Sequence, residues 1–146
     1  MSTQDHPPRL LGLWHVALRV KSLAVSRAFY QDIIGMQVVW EPDVDNLYLS
    51  LGSDNLALHV SPERSSGPMQ TSSPSSSLDH IGFIAASKED VDLMAKRMEQ
   101  FGVPIVQPIR CHRDGSYSFY IDDPDGNHVQ ILYEPHIALQ ENPCCP

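Results

Sequence analysis

Four residues of this chain have the types and the spacing to hold a metal ion: His15, His59, His80 and Gln130. Imidazole nitrogens and an amide oxygen are neutral donors, and together they suit a divalent transition ion better than magnesium or calcium. His15 and His80 each stand third in similar stretches, "LWHVALRV" and "LDHIGFIA". His59 and Gln130 are likewise expected at equivalent positions, each near the end of its own half. Other groups can meet a bound small molecule. Ser118 and Tyr120 are candidate catalytic donors to a substrate oxygen. Tyr48, flanked by Asn46 and Ser50, is their counterpart in the first half. Arg19 is placed to clamp a carboxylate, and His112 and Arg113 occupy a loop, "CHRDGS", that can cover a site.

The elements that must position these residues repeat. "LWHVALRVKSLAVSRAFYQDIIGMQVVW" and "LDHIGFIAASKEDVDLMAKRMEQFGVPIV" share a histidine, a serine seven residues later and a closing glycine. Ser22 and Ser87 suit helix N-caps, and Gly35 and Gly102 suit the left-handed position past a helix end. Val91, Met94, Ala95 and Met98 follow the helical i, i+3, i+4, i+7 spacing, and Val25, Ala28, Phe29 and Ile33 follow it more loosely. Three short strands are expected after each helix, near 36–40, 45–51 and 55–61, then 104–107, 116–123 and 127–134. Alternation puts Trp14, Val16, Leu18 and Val20 on one side of the first strand, and His15, Ala17 and Arg19 on the other. Phe119 and Ile121 oppose Ser118 and Tyr120 in the same way. One face can pack under helices, while the second carries His, Gln, Ser and Tyr and lines a cup.

Composition narrows the function classes. At 146 residues the chain has room for one domain with one core. A net charge of −8 argues against a nucleic-acid partner, which wants a basic face. No apolar run approaches the roughly 20 residues of a membrane span, and the N-terminus lacks signal-peptide features. A cytoplasmic protein is expected. Cys111, Cys144 and Cys145 form no disulfide framework. The organisation expected is an N-terminal arm (1–10), a single domain (11–134) and a tail (135–146). Within the domain lie module one (11–61), a Ser/Pro-rich linker (62–77) and module two (78–134).

"HVALRVKSLAVSRAFYQDIIGM", "DHIGFIA" and "SFYIDDPDGNHVQIL" resemble the vicinal oxygen chelate superfamily, which includes glyoxalases, bleomycin-resistance proteins and extradiol dioxygenases. The resemblance covers about residues 11–134. It implies an α+β fold of two βαβββ modules forming a cupped, largely antiparallel eight-stranded sheet with helices on the outer face. It also implies one divalent ion (zinc, nickel, iron(II), cobalt or manganese) held by His15, His59, His80 and Gln130, a small-molecule substrate and a homodimer.

In the family the last ligand, four residues after the turn glycine, is usually Glu. Here Gly126 plus four is Gln130. Glu134 lies on the same face but about 13 Å further along at ~3.3 Å per residue, so it is expected at the rim. The resemblance points to a metal-dependent enzyme of lyase/isomerase or dioxygenase type acting on an oxygen-chelating substrate. The amide removes the ligand carboxylate that often serves proton transfer in the family. The alternative is a non-catalytic protein that sequesters a small molecule in the cup.

Overall fold

The computed structural model describes residues 10, 12–61 and 77–138. The expected linker and most of both terminal segments lie outside the described residues. Each half runs strand, helix, three strands. Module one has β1 (His15–Val20), α1 (Leu23–Arg27), a π-helical segment (Ala28–Ile34), β2 (Gln37–Asp43), β3 (Asn46–Ser50) and β4 (Asn55–Val60). Module two has β5 (Ile81–Ile84), α2 (Lys88–Gln100), β6 (Ile105–Cys111), β7 (Tyr117–Asp122) and β8 (His128–Tyr133), followed by the short α3 (Pro135–Ala138).

The eight strands form two hydrogen-bonded sheets of four, ordered β1-β4-β3-β2 and β5-β8-β7-β6. In each, the first strand pairs parallel with the last and the remaining pairs are antiparallel. This is the expected pair of βαβββ modules, with cupped sheets and the helices outside.

The serine caps form as their spacing requires. Ser22 Oγ accepts from Val25 N, and Ser87 Oγ accepts from Asp90 N at 3.1 Å. Gly35, at φ 97°, ends the first helical stretch. In α2, Val91, Ala95 and Met98 are buried as the 3.6-residue period demands. The first helical stretch departs from that period. Its second half is π-helical, and the wider i→i+5 turn rotates the buried face. Phe29, Tyr30 and Ile34 are buried, while Val25 is 54% exposed. Trp14, expected on the core side of the first strand, precedes β1 and is also exposed. Elsewhere the alternation holds: Leu47, Leu49, Leu56, Leu58, Phe119, Ile121, Val129 and Ile131 join one core drawn from both modules.

The acidic turn "DDPDGN" ties the modules together. Asp123 is buried and accepts from Tyr30 Oη (2.8 Å), Asp125 N, Asn127 N and Asn127 Nδ2. Asp125 accepts from Lys21 N (2.9 Å) and Ser26 Oγ (3.1 Å). On the other side, the Arg97 guanidinium donates to the carbonyls of Asp32 and Ile33 at the end of the π segment. Burial first, then the Asp123 and Asp125 carboxylates, hold the Tyr30 phenol well above the usual tyrosine range.

The folded chain therefore keeps a proton that the unfolded chain releases near pH ~10. Stability from this group is fully present below that pH and is lost as pH rises further. Alkaline unfolding followed by circular dichroism should fall more steeply above pH ~10 in the natural chain than in Tyr30→Phe. At neutral pH the variant should be less stable by about 1–3 kcal/mol, through the donor that Asp123 loses. Equal slopes would separate Tyr30 from alkaline stability.

Candidate metal and substrate site

Strand register lays the cup-face residues out in rungs. Across module one, Trp40, Tyr48, Ala57 and Ala17 are successive partners on β2, β3, β4 and β1. Across module two the corresponding rung is Gln107, Tyr120, Gln130 and Gly82. Tyr48 and Tyr120 are therefore equivalent, and Gln130's counterpart is Ala57. This corrects the expected pairing of His59 with Gln130. His59 sits opposite Arg19, one rung beyond, while His15 sits opposite Asn55, one rung before. About 13 Å of strand separates His15 from His59 at ~3.3 Å per residue.

The expected ligands thus fall into two groups. His15 and His59 lie on the first sheet with Tyr48 between their rungs, at ring-centroid distances of 6.4 and 5.7 Å from it. Trp40 packs on the other side of Tyr48 at 4.8 Å and is 58% exposed. His80 lies on the second sheet, just ahead of β5, edge-on to Tyr120 at 5.3 Å, and Gln130 is Tyr120's direct partner. Among the described residues, no three His, Cys, Asp or Glu side chains gather within one chain to hold an ion.

The donor chemistry nevertheless fits a metal. A ligating imidazole needs one nitrogen free of its proton, and a hydrogen bond from the other nitrogen fixes that tautomer. His15 Nδ1 bonds Asn55 Oδ1, His59 Nδ1 bonds Asn46 Oδ1, and His80 Nδ1 bonds Asp79 Oδ2 at 2.6 Å. In each the acceptor is a side-chain oxygen, so Nδ1 donates and, in the neutral ring, Nε2 carries the lone pair. His128 is held the same way by Asp122, its partner across β7 and β8. These outer partners were missed in the sequence, although Asp79 adjoins His80, and Asn46 and Asn55 share the histidines' strand face.

Gln130 is held differently. Its Nε2 donates to Ser118 Oγ at 3.0 Å, and Ser118 Oγ also lies 3.0 Å from His112 Nε2. Ser118 is 1% exposed, so its hydroxyl serves its neighbours and does not reach a substrate. Tyr120 stays half-buried beside His80. A Cβ added at Gly82 would meet Leu132 Cδ2 at 3.1 Å and come within 3.6 Å of Gln130 Oε1, so Gly82 faces that oxygen. Glu134 stands beyond the end of β8 and accepts from His136 N at 3.1 Å, capping α3. Arg113 lies in the turn between β6 and β7.

Two βαβββ modules with histidine-lined sheet faces define a class of small-molecule-binding, metal-compatible domains. The chain belongs to the Glyoxalase/Bleomycin resistance protein/Dioxygenase superfamily, whose model matches residues 12–131.

Members of this superfamily commonly use a divalent metal ion. The chain is 27% identical over 113 residues to the catechol-2,3-dioxygenase of Bacillus subtilis (strain 168), a match that takes in 75% of this chain and 36% of that one. It thus spans about a third of that relative's length. It is 24% identical over 123 residues to the metallothiol transferase FosB of Bacillus licheniformis, covering 84% of this chain and 75% of that one. The crystal structure of lactoylglutathione lyase from Agrobacterium tumefaciens superposes with a TM-score of 0.68 at 27% identity, covering 86% of this chain and 95% of that one. Among the described residues, no helix is long and apolar enough to cross a membrane.

Proposed function

We propose that this chain is a divalent-metal-dependent enzyme, acting in the cytoplasm on a small molecule with two neighbouring oxygens. The observation that carries the reading is the shared tautomer: His15 and His80 each donate from Nδ1 and keep Nε2 free. With Gln130 Oε1 they supply three neutral donors, a set that suits zinc, nickel, iron(II), cobalt or manganese. A bound ion would supply Lewis acidity to adjacent substrate oxygens. Tyr120 and Tyr48 then flank the substrate from the two sheets, and Arg19 and His59 line the next rung on the module-one side. Because the ligands bring no negative charge, an anionic oxygen pair such as a catecholate or enediolate suits the site best. The runner-up reading is a binding protein without turnover, favoured by the exposed Trp40 packed at a tilt against Tyr48.

A homodimer completes the site in this proposal, with His15 of one chain facing His80 and Gln130 of a second copy. Sedimentation should give twice the 16.3 kDa chain mass. His15→Ala and His80→Ala chains, each metal-free alone, should regain metal when unfolded together and refolded as a mixture, because half-and-half dimers carry one intact site. Recovery of roughly a quarter of an ion per chain is expected for random pairing. No recovery would reject the shared site. Turnover of a catechol, or of a methylglyoxal–glutathione adduct, by metal-loaded protein supports the enzyme. Tight binding of both without turnover supports sequestration.

A further inference from the structure

We propose that Ser118 and His112 are positioning residues that set the polarity of the Gln130 amide, so that the chain presents a carbonyl oxygen and not an NH2 group to the cup. The two ends of a glutamine amide are almost the same size, and shape alone does not choose between them. The choice falls to hydrogen bonds. Ser118 Oγ is buried between two nitrogens, Gln130 Nε2 and His112 Nε2, each at 3.0 Å. A hydroxyl has one proton to give. It accepts from the amide NH2, and in this proposal its own proton goes to His112, whose Nε2 accepts it and whose Nδ1 holds the ring proton. His112 is thus engaged at Nε2, whereas His15, His59, His80 and His128 are held at Nδ1.

The relay starts from a rigid end. His112 N donates to Ser116 O at 2.8 Å, and Gly115 N donates to His112 O at 3.1 Å. Ser116 N and Oγ both donate to Asp114 Oδ1. The turn is closed on itself, and the ring it carries is aimed at Ser118. At the far end the amide oxygen faces Gly82, which carries no side chain.

It follows that Gln130 is matched to His112 and is not interchangeable with Glu. A carboxylate only accepts. With Glu at 130, Ser118 must donate to it, and His112 must then donate from Nε2. The substitution reverses every bond of the relay. What the presented oxygen is for rests on the reading of Gln130 as a metal ligand, but the direction of the relay does not.

The test therefore has two arms. In the first, metal-free protein with 15N-labelled histidine is observed by long-range 1H–15N NMR near pH ~8, above the ordinary range of imidazoles. His112 should carry its proton on Nδ1 in the natural chain and on Nε2 in Gln130→Glu. In Gln130→Glu combined with Ser118→Ala, the response should vanish. An unchanged His112 in Gln130→Glu, or an Nε2 proton in the natural chain, overturns the proposal.

In the second arm, zinc affinity is measured. Ser118→Ala should weaken it about tenfold or more, as loss of an outer partner does, and Ser118→Thr, which keeps the hydroxyl, should restore most of it. Equal affinity in Ser118→Ala and the natural chain, with zinc bound by both, also overturns the proposal. A natural chain that binds no zinc but shows the expected tautomers defeats the ligand reading and leaves the relay standing.

Discussion

His80→Ala is expected to abolish metal binding, taking zinc content from about one ion per chain to none. The loss should exceed a hundredfold in affinity, because disturbing an outer partner alone costs about 10–100-fold. His80 sits beside Tyr120 and one rung from Gln130, and no other imidazole of that sheet has the same reach except His128. A graded series follows. Asp79→Ala should weaken binding about tenfold, at the low end of that range because Asp79 is largely exposed. His15→Ala should resemble His80→Ala. His59→Ala should retain the ion, since His59 stands two rungs from His15, and His128→Ala should retain it because His128 is outside the proposed donor set. Calorimetric titration of the metal-free variants with zinc measures all five. Full binding by His80→Ala, or loss in His59→Ala alone, would contradict the rung assignment.

The largest effect on stability is expected at Asp123→Ala. The carboxylate is 4% exposed and receives four donors, from Tyr30, Asp125 and, twice, Asn127. Removing it strands the buried Tyr30 hydroxyl and unties the turn that joins β7 to the first helical stretch. A cost of about 3 kcal/mol is expected, from buried donors left without an acceptor. For a chain of this size that is about 10 °C in melting temperature. The adjacent Asp122 is half-exposed and holds only the His128 ring, so Asp122→Ala should cost less than about 1 kcal/mol. Thermal melts of the two variants compare them directly. Similar melting temperatures would mean that the turn does not clasp the modules.

The repeat, the caps and the alternating strands could be read from the sequence because each is a local rule. Ser22 and Ser87 cap, Gly35 turns left-handed, and Phe119 and Ile121 go inward wherever the chain is placed. Three features could not be read that way. The π segment depends on how Tyr30 finds Asp123, 93 residues away, so the period that favoured Val25 and Ile33 gave way to Tyr30 and Ile34. The rung of His59 depends on pairing between β1 and β4, which the spacing of one half against the other does not determine. Ser118 looked like a substrate donor because strand alternation places it on the cup face, yet His112 folds over it from the preceding turn and engages its hydroxyl. Tyr120 and Gln130, with no such cover, stay where alternation put them. Glu134 proved to be a helix cap, in keeping with its distance from Gln130 along the strand.

Elemental analysis of the natural chain, expressed and purified without added metal or chelator, tests the central claim most directly. Two imidazoles with their tautomers fixed, together with the Gln130 amide oxygen, predict about one divalent ion per chain, retained through gel filtration and removed in His80→Ala. A natural chain that emerges metal-free, and stays so after equilibration with zinc, nickel, iron(II), cobalt and manganese, would contradict it.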